Sequence, residues 1–172
     1  LQDLQPNTPY RYRVAYGPDK STTQKSAPQR FTTLAGSDKA TPVVFTMSSC
    51  TRYEDFMLGG DGNKSWDQPA SDEDSLKGYP VLVPILKAQP QFYFMVGDNV
   101  YYDHTAWGEE RAKDLPSMRR KWHRIWHFPR MQEVFANMGV YFMKDDHDYR
   151  FDDGDTTQPS KDGYIKPSHE QG

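Results

Sequence analysis

Two short apolar, aromatic-rich runs in this chain stop in acidic residues: QFYFMVGDNVYYD over residues 91–103 and VYFMKDDHD over residues 140–148. Gly97 lets the backbone turn sharply before Asp98, and Tyr101, three residues on, is close enough to reach the same point. A carboxylate can bridge two cations, whereas a phenol gives up its proton near neutral pH only beside a strongly acidic metal such as ferric iron. The second tip, Asp145, Asp146, His147 and Asp148, adds another oxygen ligand and an imidazole with a carboxylate beside it to fix its tautomer. These parts suit a two-metal hydrolytic centre. Either tip alone reads equally well as a solvated strand end or helix cap; the two together favour one shared site.

A third tip follows the run Pro42 to Ser48, PVVFTMS, whose β-branched and apolar character predicts a central buried strand. It leads into Ser49-Cys50-Thr51-Arg52. A free cysteine is more often an inert small hydrophobe than a ligand, and an arginine more often a surface ion-pair partner than a phosphate clamp. Their place directly after a strand keeps both as candidates. His123 and His127 lie four apart but have no third ligand nearby in sequence, and they read as ordinary helix residues.

The elements that must position these tips alternate between strand and helix, which predicts an α/β sheet with ligands at the carboxyl ends of its strands. A helix is expected from about Pro80 to Gln89, with distortion at Pro84, followed by a strand over 92–96. That β-α-β crossover would be right-handed and would set Cys50 and Asp98 at one sheet edge. Residues 54–74 read as a long surface loop, with Gly59 to Asn63 only loosely like a calcium loop, and 102–116 as a loop in which His104 and Trp107 wall the site. A helix over Ser117–Phe128, capped by Ser117, would turn Met118, Trp122, Ile125 and Trp126 inward and leave Arg119, Arg120, Lys121 and Arg124 on solvated faces. The alternative for this basic, Trp-bearing segment, a membrane-surface helix, is the weaker reading. A second short helix over 130–137, with Met131, Val134 and Phe135 inward, then leads through Gly139 to a strand over 140–143.

At 172 residues and 35% hydrophobic content the chain can bury one sizeable core with a small extra module. A net charge of -3 argues against a general nucleic-acid binder, which needs a cationic excess. No apolar run reaches the roughly 20 residues that a membrane span requires. The single cysteine, Cys50, rules out an internal disulfide framework. Leu1 falls inside a continuing pattern, so the chain reads as a mature piece or fragment of something longer.

Residues 1–35 read as the end of a β-sandwich, with strands over 10–16 and 29–34, and residues 36–41 as a linker to the unit over 42–172. Tyr10, Tyr12, Val14 and Tyr16 would share one face. The approach Leu4-Gln5-Pro6-Asn7-Thr8-Pro9-Tyr10 resembles the tyrosine corner of fibronectin type III domains, where the phenol hydrogen-bonds back to the corner. Two strands are marginal alone, so either further strands precede them or the hairpin packs on the main unit.

In that order, a Ser-Cys pair (Ser49-Cys50), Gly-Asp-x-x-Tyr (Gly97 to Tyr101) and Asp-Asp-His-Asp (Asp145 to Asp148) resemble the PhoD-like alkaline phosphatases, a branch of the metallophosphoesterases. The resemblance covers most of residues 1–155. It implies the amino-terminal half of an α/β/β/α sandwich, preceded by the last strands of a fibronectin-like β-sandwich. It also implies phosphate-ester hydrolysis, of monoesters or diesters, by a metal-activated hydroxide. Cys50 would bind iron, Asp98 would bridge the metals, Tyr101 would bind ferric iron, and Asp146 would bind a second metal, usually calcium. His147 would contact the phosphate, with Asp148 orienting it; Arg52, read from its own place beside Cys50 and not from the resemblance, could face a phosphoryl group bidentately. Asp152, standing where some relatives have Asn, could offer oxygen to calcium. The substrate would be a small phosphate ester, with no stable nucleic-acid partner, and the location secreted or periplasmic. The family's catalytic domain continues past this motif and draws further ligands from its second half. Two alternatives stand beside this reading: a noncatalytic calcium-binding surface module, and an inactive partial phosphatase.

Overall fold

The computed structural model describes residues 2–59, 68–105 and 110–156 of the 172-residue chain. Their elements run β1 (Pro9–Tyr12), β2 (Ala15–Tyr16), β3 (Gln24–Lys25), β4 (Gln29–Thr32), β5 (Phe45–Ser48), α1 (Tyr53–Leu58), α2 (Asp72–Lys77), α3 (Leu82–Ala88), β6 (Phe92–Val96), α4 (Leu115–Trp126), α5 (Pro129–Asn137) and β7 (Gly139–Met143). The sheet that matters for the site is β5-β6-β7, parallel throughout, with Ser48 opposite Met95 and Val96 opposite Met143. All three strands therefore end at the same edge. Trp107 and the segment Gly60 to Asn63 lie outside the described residues.

Alternation along β6 sorts the two faces of this sheet. Tyr93 and Met95 turn inward and are buried with Leu82 of α3, Met118 and Ile125 of α4, and Met131 and Val134 of α5. Side chains of this size each stabilise the fold by roughly 1.5–3 kcal/mol on burial. The opposite face carries Phe45, Met47, Phe92, Phe94, Tyr141 and Met143. Its rings touch along the sheet, with Phe45 and Phe92 stacked at 5.3 Å and Phe94 and Tyr141 also 5.3 Å apart. Phe45, Met47, Tyr141 and Met143 are nevertheless all about half exposed or more. No described helix is long and apolar enough to cross a membrane.

The hairpin β1-β4 is antiparallel, and Tyr10 and Tyr12 both meet Phe31 across it. The Tyr10 hydroxyl accepts a hydrogen bond from the Gln5 amide at 2.7 Å, so the phenol does close back on the approach to the strand. The strand expected over 10–16 breaks at Arg13, and Val14 and Tyr16 stay exposed, because Ala15–Tyr16 pairs separately with Gln24–Lys25. The Tyr12 hydroxyl donates to the Ala136 carbonyl at 3.4 Å, which docks the hairpin on α5.

Three expectations for the helices are corrected. The stretch expected as a long loop holds α1 and α2: Ser71 caps α2 by accepting from the Asp74 amide at 3.1 Å, and three acids in its first turn oppose the helix dipole. Helix α3 starts at Leu82 and runs through Pro84, which falls in the first turn where an amide has no intrahelical partner to lose. Helix α4 starts at Leu115 under Asp114, and Ser117 closes the capping box from inside the helix.

Lys121, expected on a solvated face, is 1% exposed. Its ammonium donates to Glu54 Oε1 at 3.2 Å and to the His104 carbonyl at 2.5 Å. Arg124 also pairs with Glu54 and lies 4.0 Å over the Tyr53 ring. Burial pushes the Glu54 carboxyl up, but the charges of Lys121 and Arg124 outweigh it and hold the group below its ordinary range. Glu54 pairs with both cations, so removing it takes the acid from two charges at once, whereas removing Lys121 leaves Glu54 with Arg124. Glu54→Ala should therefore lower unfolding free energy by about 3–5 kcal/mol, and Lys121→Met by distinctly less, in urea denaturation. Equal losses would show that the cluster does not share its charge this way.

Candidate metal centre

The parallel register delivers three loops to one edge of the sheet, and backbone hydrogen bonds tie them together. The Thr51 amide donates to the Asp98 carbonyl at 2.8 Å, Cys50 N to Gly97 O at 3.4 Å, and Tyr102 N to His147 O at 3.2 Å. Cys50 and Asp98 both adopt left-handed backbone, at φ 57° and 52°. For side chains other than glycine this conformation costs of order 1 kcal/mol or more, and it recurs where a fold holds a residue for use. Gly97 is left-handed too, and a Cβ there would stand 2.7 Å from Asp145 Cβ, so only glycine lets the β6 and β7 tips approach this closely.

Around Asp98 the donor atoms converge. Its Oδ2 receives the Tyr101 hydroxyl at 3.0 Å and the Cys50 thiol at 3.6 Å, while its Oδ1 is buried with no hydrogen-bond partner. An unsatisfied buried carboxylate oxygen is costly, and a cation is the partner that would satisfy it. Asp98, Asp146 and His147 each offer a ligand atom, all within 4.8 Å of one another. Asp103, His104 and His147 form a second such group, so His147 is common to both. Burial, with the Cys50 hydrogen bond and the Asp98 carboxylate adding to it, pushes the Tyr101 phenol up, so it would stay protonated without a cation. The residues present therefore fit a metal centre by geometry and by donor chemistry.

His147 is held by Asp103. Its Nδ1–H donates to both oxygens of that carboxylate, at 2.9 and 3.1 Å, and its ring lies 4.2 Å from the Tyr101 ring. Burial pushes the imidazole down, but the Asp103 hydrogen bond and the charges of Asp103, Asp146 and Asp98 more than offset it, leaving the group raised.

The expected role of Asp148 is thus corrected: the carboxylate that orients His147 is Asp103's. Asp148 instead accepts from the Asn99 amide at 3.1 Å, the Asn99 side chain at 2.5 Å and the Asp145 amide at 2.6 Å. It is a buried clamp between the β6 and β7 tips. Arg52 sits at the β5 tip, paired with Asp55 at 2.8 Å, with its guanidinium 5.8 Å from the Tyr101 ring centre and its Nε buried without a partner. Asp152 is exposed and belongs to neither ligand group; its Oδ1 lies 3.6 Å from His147 Nε2, and its amide donates to Asp103.

Asp103 and Asn99 were missed as contributors. Asp103 stands 44 residues from the imidazole it binds, and only its position beside His104 hinted at a part in the site. Asn99, 1% exposed, ties its side chain to the Met143 carbonyl at 2.8 Å as well as to Asp148.

No family model matches the chain, and no curated protein matches it. Among solved structures, one of PhoD is similar, with a TM-score of 0.67 at 16% sequence identity over 94% of this chain and 28% of that one. The similarity shows a shared mixed α/β fold, and this chain spans 28% of the length of the PhoD chain.

In the metal-free chain, Asp103→Asn should bring the His147 titration midpoint down, because burial remains while the opposing charge is lost. An NMR titration of the imidazole resonances measures this, and an unchanged or higher midpoint contradicts the Asp103–His147 pairing.

Proposed function

We propose that this chain carries the amino-terminal half of a metal-dependent phosphoesterase centre of the PhoD-like kind, acting on phosphate monoesters or diesters. The observation that carries the reading is Asp98, on left-handed backbone at a strand tip, with one buried oxygen lacking a partner and the other meeting both the Cys50 thiol and the Tyr101 hydroxyl. The similarity in fold to PhoD supports it. On this reading residues 1–35 belong to a fibronectin-like module, 36–41 link it to the catalytic unit of an α/β/β/α sandwich, and the protein works outside the cytoplasm.

Cys50, Asp98 and Tyr101 would hold ferric iron, and Asp98 and Asp146, with Asp152 nearby, would hold calcium. The bound cations would supply charge neutralisation at the phosphoryl group and lower the pKa of the attacking water. The chain's own residues do the rest. Asp103 accepts from Nδ1–H and so leaves Nε2 on the side of the Asp152 carboxylate, 3.6 Å away; against the effect of burial, the Asp103 hydrogen bond and the surrounding carboxylates shift the imidazole toward its protonated form. As the new P–O bond forms from water and the ester P–O bond breaks, the Nε2–H of His147 goes to the departing alcohol oxygen, and the proton given up by the attacking water returns the imidazole to its protonated form. The Arg52 guanidinium, with its Nε unpartnered, can pair with a phosphoryl oxygen.

The test is the chain loaded with iron and calcium, assayed on 4-nitrophenyl phosphate and its bis-ester, with metal content measured alongside. Iron bound together with a visible tyrosinate charge-transfer band, and turnover that falls about a thousandfold or more in Asp98→Asn, is the expected result. Near-normal turnover or undiminished metal content in Asp98→Asn refutes the assignment.

A further inference from the structure

A cavity of about 320 Å³ lies beside the Cys50 tip, and the chemistry described so far leaves it unused. Its lining includes Cys50 and Arg52, residues of the candidate centre, with Asp55 paired to Arg52, and among the apolar and aromatic residues Phe56, Tyr79 and Leu82. The Phe56 and Tyr79 rings are 4.5 Å apart, so one wall is a packed aromatic surface. Two polar atoms of the lining residues, Arg52 Nε and the Tyr79 hydroxyl, are buried without hydrogen-bond partners. Val81, more than half exposed, stands among the lining residues where a side chain can be enlarged without disturbing the core.

We propose that this cavity receives the organic part of the ester and that the preferred substrates are phosphate esters of aromatic alcohols. The proposal rests on the phosphoesterase reading above. A phosphoryl group beside Asp98 and Cys50 puts its ester substituent within reach of the cavity, since Cys50 and Arg52 line both. The volume is at the small end of ligand pockets, right for a single ring system and too small for a large ligand. A flat ring gains offset or edge contacts against Phe56 and Tyr79 that a short alkyl group cannot make.

Isothermal titration of the chain loaded with iron and calcium, its metal content measured, with phenylphosphonate, hexylphosphonate and methylphosphonate tests this. Phenylphosphonate should bind about tenfold more tightly than methylphosphonate, the gain expected from burying a ring. Val81→Trp should erase that advantage while leaving methylphosphonate affinity unchanged. Equal affinity for the phenyl and methyl compounds overturns the cavity assignment but spares the phosphoesterase reading, and a hexyl compound that outbinds phenyl overturns the aromatic preference in favour of an alkyl one. Failure of all three to bind overturns the phosphoesterase reading and this proposal with it.

Discussion

The candidate centre depends on one buried carboxylate. Asp148 spans the gap between two strand tips, accepting from the backbone of both and from the Asn99 side chain, which itself reaches the Met143 carbonyl. Burial pushes its carboxyl up, and the three donors only partly oppose this, so its pKa stands above the ordinary value. A carboxylate in that state lowers stability at neutral pH, where the unfolded chain ionises it freely and the folded chain does so at a cost. What it provides is geometry: with Asp148 in place, Asp98 and Asp146 face one another across the sheet edge, and it joins the two loops alongside the Asn99–Met143, Asp103–His147 and Tyr102–His147 contacts.

A second layer of support sits behind the first. Lys121 holds the His104 carbonyl from below while it pairs with Glu54, so helix α4, helix α1 and the loop carrying Asp103 are joined through one ammonium group. Asp103 in turn sets the ring of His147. The chain of contacts runs from a buried helix to the imidazole without passing through any ligand atom of Asp98, which lets the two halves of the site vary in stiffness independently.

Much of this was legible in the sequence, for physical reasons that differ by element. Strand β6 and helix α5 followed from patterns that their surroundings reinforce: a continuous apolar run after Pro90, and Met131 and Val134 at helical spacing after Pro129. The convergence of Cys50, Asp98, Asp146 and His147 followed from parallel strands having a common carboxyl edge. What escaped was whatever depended on contacts across long sequence separations. Helix α1 is six residues long and presents Glu54 inward, and no periodicity marks an acid as buried until its two cations, 67 and 70 residues away, are seen beside it. The same blindness assigned the orienting role to Asp148, the neighbour in sequence, when the neighbour in space is Asp103.

The left-handed backbone at positions 50 and 98 has an evolutionary consequence. Glycine would relax both turns, and at each of them it would delete the very atom that gives the site its chemistry. Selection for thermal robustness alone would thus erode this edge of the sheet first, trading reactive side chains for an easier fold. A library of variants enriched only for heat resistance would accumulate inert molecules, while one enriched for ion retention would keep the strained turns.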